Sequence, residues 1–414
     1  MTRLAGLRSR PVAILAAIAF ANGVVAAVTF GAAAAGPLLR STLEIGTGHL
    51  GVVLAAPGLG LMLGTFLWGE LADRLDERRI LIIAFLLFSA AAVVGAAAID
   101  HRSTAGFTGS LVALGAFGSA AHSAGGRAIT SAFPPDRIGL VLAIRHTAMP
   151  VGGAVGGVVL PTLARAHGFT APMVGFAGFG VLVAAALAIA LPRRTGIAAR
   201  VRAAREHAHD ALERLTVRAH SPLRDRGMWL LCIGGSSMAF VQLGAGAFLT
   251  TQLTDEAGLT ITAAAATFTA MQLVGAVLRI ALGVWSDRVA SRVAMLRAIA
   301  TVAFLVLVPM LVTLDGRIDG LLLVVALGVV TSCNGVAVAA ASVLAPAGRT
   351  GATLGMQTTG NALAGTIAPV LLGTLLASLG WRAFDLCLLV VLAAGIVSLT
   401  LLDRTAHPSS VATA

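Results

Sequence analysis

Twelve long apolar runs, parted by short polar turns rich in arginine, set the pattern of this chain. A helix crosses a hydrocarbon core of about 30 Å with about 20 mostly apolar residues. On that measure the runs predict membrane helices over 11–36, 46–69, 79–99, 105–132, 138–164, 169–191, 227–252, 259–284, 293–314, 319–345, 351–378 and 381–402. The first run follows Arg3, Arg8 and Arg10, as the core of a signal peptide would. It is longer than the roughly 7–15 residues of such a core, and eleven more runs follow. It is therefore expected to stay as a helix. An all-α membrane protein is the predicted class.

Composition agrees. Of 414 residues, 57% are hydrophobic and 11% charged, with a mean hydropathy of +0.93. A water-soluble domain carries roughly 25% charged residues. The 29 basic residues are all arginines, and they sit between the apolar runs instead of along a basic stripe with interleaved aromatics. That argues against nucleic acid as a partner. The cysteines Cys232, Cys333 and Cys387 all lie inside apolar runs, so neither a disulfide framework nor a metal site is expected. With the amino terminus in the cytoplasm, 21 arginines fall on the inner side, 5 on the outer side and 3 within spans. This asymmetry places both termini in the cytoplasm of a multi-pass protein of the cytoplasmic (inner) membrane.

Residues 192–226 divide six spans from six. Their "ARVRAAREHAHDALERLTVRAH" reads as a partly helical cytoplasmic linker resting on anionic lipid headgroups. The expected domains are a six-helix bundle over 1–191, this linker, and a second bundle over 227–414. The halves repeat. "FPPDRIGLVLAIRHTAMPVGGAVGG" at 133–157 aligns with "APAGRTGATLGMQTTGNALAGTIAP" at 345–369, so that Pro134 falls on Pro346 and Arg137 on Arg349. "WGELADR" at 68–74 aligns with "LGVWSDR" at 282–288, with Asp73 on Asp287 at a slightly longer offset. Parallel repeats of this kind relate two bundles by a pseudo-twofold axis along the membrane normal, with a substrate site near the midplane.

These features carry a resemblance. The loop "GELADRLDERR" after span two, with Gly69, Leu71, Ala72, Asp73 and Arg74, resembles the signature loop of the major facilitator superfamily, and Arg78 and Arg79 supply its basic end. Asp76 stands for the usual glycine and Glu77 for the usual arginine. The second copy, "GVWSDRVASR", keeps Gly283, Asp287, Arg288 and Arg292. The likeness covers essentially the whole chain and is nearest to twelve-span permeases of the actinobacterial type. It implies secondary transport by alternating access. Asp73 and Asp287 would latch the cytoplasmic side through arginines and helix termini, in a gating set of Gly69, Asp73, Arg74, Arg78, Gly283, Asp287, Arg288 and Arg292. The family's drug antiporters carry Gly-Pro-x-x-Gly-Gly in span five. Here Met149 precedes Pro150 and Ala154 replaces the last glycine, which weakens a drug-efflux reading.

Polar residues inside a span are candidates for the site. The repeat sets His122 opposite Asn334, Arg145 opposite Gln357, Thr65 opposite Arg279, and Asn22 opposite Ser236. Arg127 and Arg145 lie nine residues either side of residue 136, and Arg279 lies eight before Asp287, so all three share a depth. No carboxylate is expected at that depth in their spans. A planar guanidinium fits a carboxylate, so a small organic anion is the expected substrate. His122 and His146 are candidate proton carriers, and Asn22, Asn334, Gln357 and Asn361 candidate hydrogen-bonding groups. Gln357 and Asn361 share a helix face. The glycine pairs at 152–153 and 156–157 predict close helix packing.

No phosphate loop, metal-ligand spacing or large soluble segment is present, so neither an enzyme nor a cofactor is expected. The reading is a monomeric permease for a small carboxylate, with proton symport, uniport and exchange all open. The runner-up is proton-coupled efflux of drugs or hydrophobic metabolites, for which Asp385 is the one candidate carboxylate.

Overall fold

The computed structural model describes residues 9–74, 76–134, 138–192, 222–286, 288–289, 291–313, 315–346 and 349–406. Its regular structure is helical, and twelve helices are long and apolar enough to cross a membrane. Spans one to three are Ser9–Ala34, Thr47–Arg74 and Glu77–Asp100. Span four is broken into Thr104–Gly118, a 3-10 turn Ser119–Ala121, and Ser123–Ala132. Spans five and six are Ile138–His167 and Thr170–Ala190. Span seven runs from Arg226 to Asp255 with a π-helical turn at Val241–Ala245. Spans eight and nine are Ile261–Ser286 and Arg292–Leu307, the latter continued by a 3-10 turn to Leu311. Span ten is broken into Gly316–Thr331 and Cys333–Leu344. Spans eleven and twelve are Thr350–Leu379 and Trp381–Ala406. Most of the linker, 193–221, lies outside the described residues.

Short polar residues start these helices. Ser103, Asp225, Ser291 and Asp315 each accept a backbone N–H of the first turn, which satisfies donors a helix start leaves open. Gly168 and Gly380 end spans five and eleven at positive φ, a conformation that costs other residues a Cβ clash. Ser103 and Asp315 are mates under the alignment that sets Pro134 on Pro346, and so are Gly168 and Gly380. The repeat is thus written into caps and turns as well as into apolar runs.

The chain forms two compact units: residues 1–44 with 56–209, and 45–55 with 210–414. In the first unit the core gathers Phe85, Phe88, Phe107 and Phe169, and in the second Phe248, Phe268 and Phe384. Large apolar side chains such as Val93 and Val94 of span three and Val390 and Val397 of span twelve stay exposed, as suits lipid as the surrounding solvent. Small residues bring helices to backbone contact. A Cβ at Gly152 or Gly156 of span five would collide with the Gly23 or Ala27 carbonyl of span one. A Cβ at Gly60 of span two or Gly115 of span four would strike the other helix's carbonyls. Trp68 Nε1 donates to the Ala116 carbonyl at 2.8 Å and ties the same two spans. In the second unit, Gly51 sits directly on Pro369 and Gly373 of span eleven.

Ends are tied by charge. Arg78 gives Nε and Nη2 to the Ala188 carbonyl at 3.3 and 2.9 Å, capping span six from span three. In the second unit Arg297 of span nine meets Asp403 of span twelve at 2.9 Å.

The packing makes a graded prediction. Gly152→Ala meets backbone that must move and should destabilise the purified protein by about 1–3 kcal/mol. Gly175→Ala, with open space around it, should leave the thermal midpoint in detergent unchanged. Equal midpoints for both variants would rule out the close contact of spans one and five.

Candidate functional site

Each unit contains a broken span, and an arginine sits on each break. In span four the 3-10 turn at Ser119–Ala121 takes the helix out of register, so carbonyls there lose their usual partners. Arg145 of span five reaches across and gives Nη2 to the Ala121 and His122 carbonyls at 3.1 and 2.9 Å. In span ten the break falls at Thr331–Ser332. Arg279 of span eight gives Nε and Nη2 to the Thr331 carbonyl at 3.2 and 3.0 Å. Ser119 and Thr331 are mates in the repeat. A carbonyl unpaired in a membrane costs several kcal/mol, so both arginines first of all hold irregular backbone in place.

The arrangement around Arg145 is buried. Its side chain is 6% exposed, and its Nε has no hydrogen-bond acceptor. Nη1 lies over Gly126, where a Cβ would come within 3.1 Å. His122 is its neighbour at the break, with Nδ1 unpartnered. Asn22 of span one is 2% exposed, donates Nδ2 to the Ile18 carbonyl at 2.8 Å, and leaves Oδ1 unpartnered. Span one meets span four through Val25 on Gly118 and Ile18 on Gly125. Asn22 therefore lies at the level of the break. His146, next to Arg145 in sequence, is exposed, whereas His122 lies beside Arg145 at the break.

In the second unit the polar groups bond one another. Gln357 donates Nε2 to Asn361 Oδ1 at 2.9 Å, and Ser236 Oγ donates to the same oxygen at 3.4 Å. Gly235 of span seven makes room for the Gln357 amide. Asn334, just past the break in span ten, donates to Gln242 Oε1 at 3.1 Å. Gln242 sits on the π-helical turn of span seven. Gln357 Oε1 is buried without a partner.

Three comparisons bear on this geometry. The profile of the Major Facilitator Superfamily matches residues 15–369. The chain belongs to that superfamily. It is therefore a multi-pass membrane transporter, not an enzyme, and it moves a small molecule by secondary transport. Two uncharacterised MFS-type transporters of Mycobacterium tuberculosis, from strains CDC 1551 / Oshkosh and H37Rv, are 31% and 30% identical to it over 369 residues, which is 86% of this chain and 78% of each relative. Among solved structures, a bacterial homologue of the human lysosomal transporter Spinster, inward-facing and occupied, superposes with a TM-score of 0.76 at 16% identity, covering 97% of this chain and 98% of its own. A D-xylose–proton symporter follows at 0.73 and 14%, with 95% and 97% covered. At such identities the likeness concerns the fold.

Within this superfamily member, the candidates separate. Arg127 does not join Arg145: its Nε lies 3.9 Å from Glu77 Oε1 of span three. The sequence expects no carboxylate at that depth in spans four, five and eight; Glu77 comes instead from the start of span three, alongside span four. Thr65, the repeat mate of Arg279, bonds the Leu61 carbonyl of its own helix at 2.6 Å. Arg145 and its mate Gln357 address different neighbours, span four and span seven. Arg279 instead occupies on span ten the place that Arg145 holds on span four. Gln242 escaped the sequence reading because its repeat mate, at the offset that sets Asn22 on Ser236, is the apolar Val28. Of the gating set, Gly69 and the backbone of Asp73 and Arg74 continue span two. Gly283 lies in span eight with open space around it, Arg288 is exposed, and Arg292 opens span nine. Asp287 lies outside the described residues. Those residues hold no group of three or more His, Cys, Asp or Glu placed to bind a metal.

If Arg279 clamps the break, Arg279→Met should lower unfolding stability in detergent by about 1.5–3 kcal/mol, the worth of a hydrogen bond from a charged donor. Hydrogen exchange should rise at residues 333–336, just past the break. An unchanged midpoint with unchanged exchange would show that the clamp is dispensable.

Proposed function

We propose that this transporter carries a small organic anion, most simply a carboxylate, across the cytoplasmic membrane by alternating access, with Arg145 receiving the anion's charge. One observation carries the reading: a guanidinium is buried in the first unit, and among the described residues no carboxylate pairs with it. Its described hydrogen-bond partners are two carbonyl dipoles. Burying a charge unpaired costs several kcal/mol, so a substrate carboxylate supplies what the bundle lacks. Nε and Nη1 remain as donors for it. Asn22 Oδ1 and His122 Nδ1 complete a polar surface for a hydroxyl or carbonyl elsewhere on the same molecule. Glycine at 126 lets Nη1 lie against span four, where a Cβ would crowd it at 3.1 Å.

The proposed orientation puts both termini in the cytoplasm, because the arginines of the turns crowd one side. The two bundles, 1–191 and 227–414, are proposed as the moving bodies, joined by the linker 192–226. Symport with a proton makes the passage of a monovalent anion electroneutral, so the membrane potential does not oppose it. The motif residues Asp73 and Asp287 with Arg74, Arg288 and Arg292 are proposed to latch the cytoplasmic side.

Efflux of hydrophobic compounds is the second reading. It draws on an apolar groove of about 460 Å³ walled by Phe20, Val24, Val151, Val155 and Phe179 among others.

The two readings part in proteoliposomes. Labelled short-chain mono- and dicarboxylates should enter, faster with an inward proton gradient. Arg145→Gln should lower uptake efficiency by roughly 10- to 100-fold, the equivalent of about 1.5–3 kcal/mol. Uptake equal to the parent in Arg145→Gln, or transport confined to lipophilic cations, would overturn the anion reading.

A further inference from the structure

Span twelve carries an acidic group that the anion site does not use. Asp385 lies one turn in from Trp381, where the span begins; it is 3% exposed, and its Oδ1 has no hydrogen-bond partner. The charged groups around it are Asp319 from the first turn of span ten, Glu256 at the end of span seven, and Arg382 three residues earlier on its own helix. Arg382 is turned away from it. Both terminal nitrogens of Arg382 donate to the turn between spans nine and ten, one to the Met310 carbonyl and one to the Thr313 carbonyl. Thr313 Oγ1 in turn donates to Asp319 Oδ1. Arg382 and Asp385, three apart on a helix, share a face and can meet. They do not: among the described residues no cation lies within salt-bridge reach of Asp385. An ionised carboxylate buried one turn from an arginine would draw it in, because an unpaired charge there is costly. The observed arrangement is that of the uncharged acid.

We propose that Asp385 is a proton-binding site whose occupancy sets the grip of Arg382 on the turn between spans nine and ten. With the proton on its carboxyl group, Arg382 stays on the Met310 and Thr313 carbonyls and the turn is held. When the carboxyl O–H bond breaks, the proton passes to water at the turn and the electron pair stays on the carboxylate. Arg382 then swings to Asp385 and the two carbonyls are released to water. Span nine already departs from α-geometry at Val308–Leu311, so the segment that would loosen has little regular structure to lose. The proposal rests on the proton-coupled part of the transport reading and assigns its proton to one residue.

The test needs no substrate. Dicyclohexylcarbodiimide adds to protonated carboxyl groups in apolar surroundings. In the reconstituted parent it should label the peptide bearing Asp385 in acidic buffer and much less in alkaline buffer, and labelling should be lost in Asp385→Asn. Hydrogen exchange, corrected for intrinsic rates, should speed up several-fold over residues 310–316 on going to alkaline buffer in the parent. It should stay slow in Asp385→Asn and be fast in both buffers in Arg382→Gln. Absence of label at Asp385 in both buffers, or a turn whose protection follows pH equally in the parent and Asp385→Asn, would overturn the proposal. Because neither readout involves an anion, failure here leaves the Arg145 result standing, and failure of anion uptake leaves this one standing.

Discussion

A carbonyl oxygen released inside a membrane has no water to turn to, and everything polar in the middle of this protein is organised around that fact. Spans four and ten each leave the α-helical path at equivalent points of the repeat. The freed oxygens at Ala121, His122 and Thr331 are met by arginines from neighbouring helices. Arginine suits the task because its fork offers several donors at a fixed distance from the backbone and stays charged. The consequence is local: His122 and Asn334 are carried at the breaks, and the cationic groups stand at the same level. Irregular backbone at membrane depth is tolerated where protein covers it, and here the covering group is itself a binding group.

Close packing makes the reach of these arginines possible. Arg145 meets span four because span five lies against span one at Gly152 and Gly156, and span one lies against span four at Gly118 and Gly125. Glycine at these places removes the Cβ that would hold the axes apart. Many hydroxyls, by contrast, bond the carbonyl of their own helix: Thr29, Thr65, Thr108 and Thr366 all donate to the residue four before. In a membrane helix such a side chain satisfies itself. A hydroxyl in a span is accordingly a poor pointer to a site, whereas a guanidinium or a carboxamide must find a neighbour.

That distinction explains what could be read from the residues. Span number, helix starts and the family were legible because each rests on local chemistry: about 20 apolar residues, a capping Ser or Asp, and a motif loop. The pairing of arginines was not. Offset arithmetic sets Arg145 against Gln357 and Arg279 against Thr65, while the geometry makes Arg145 and Arg279 counterparts on the two breaks. A break can be reached from any helix beside it, so the repeat conserves the place to be filled and leaves open which helix fills it. Gln242 was hidden for a related reason. The π-helical turn inserts a residue and turns the helix face, so periodicity and offset both lose register there. Arg127 looked unpaired because Glu77 approaches from another span, an approach no one-dimensional distance contains.

The two clamps are not equivalent in what they leave over. Arg279 applies Nε and Nη2 together to one carbonyl and so uses the edge that best fits a carboxylate. Arg145 satisfies two carbonyls with a single nitrogen, and its Nε is left buried and unmatched. Both carry the same charge, but the donor left buried and unmatched belongs to Arg145. In the second unit Gln357, Asn361 and Ser236 bond one another instead, so that neutral groups there satisfy neutral groups. The symmetry of the two halves has thus been kept for the backbone, with a broken span clamped by an arginine in each unit, and broken for the chemistry, since the two arginines come from different helices and meet the freed carbonyls through different nitrogens.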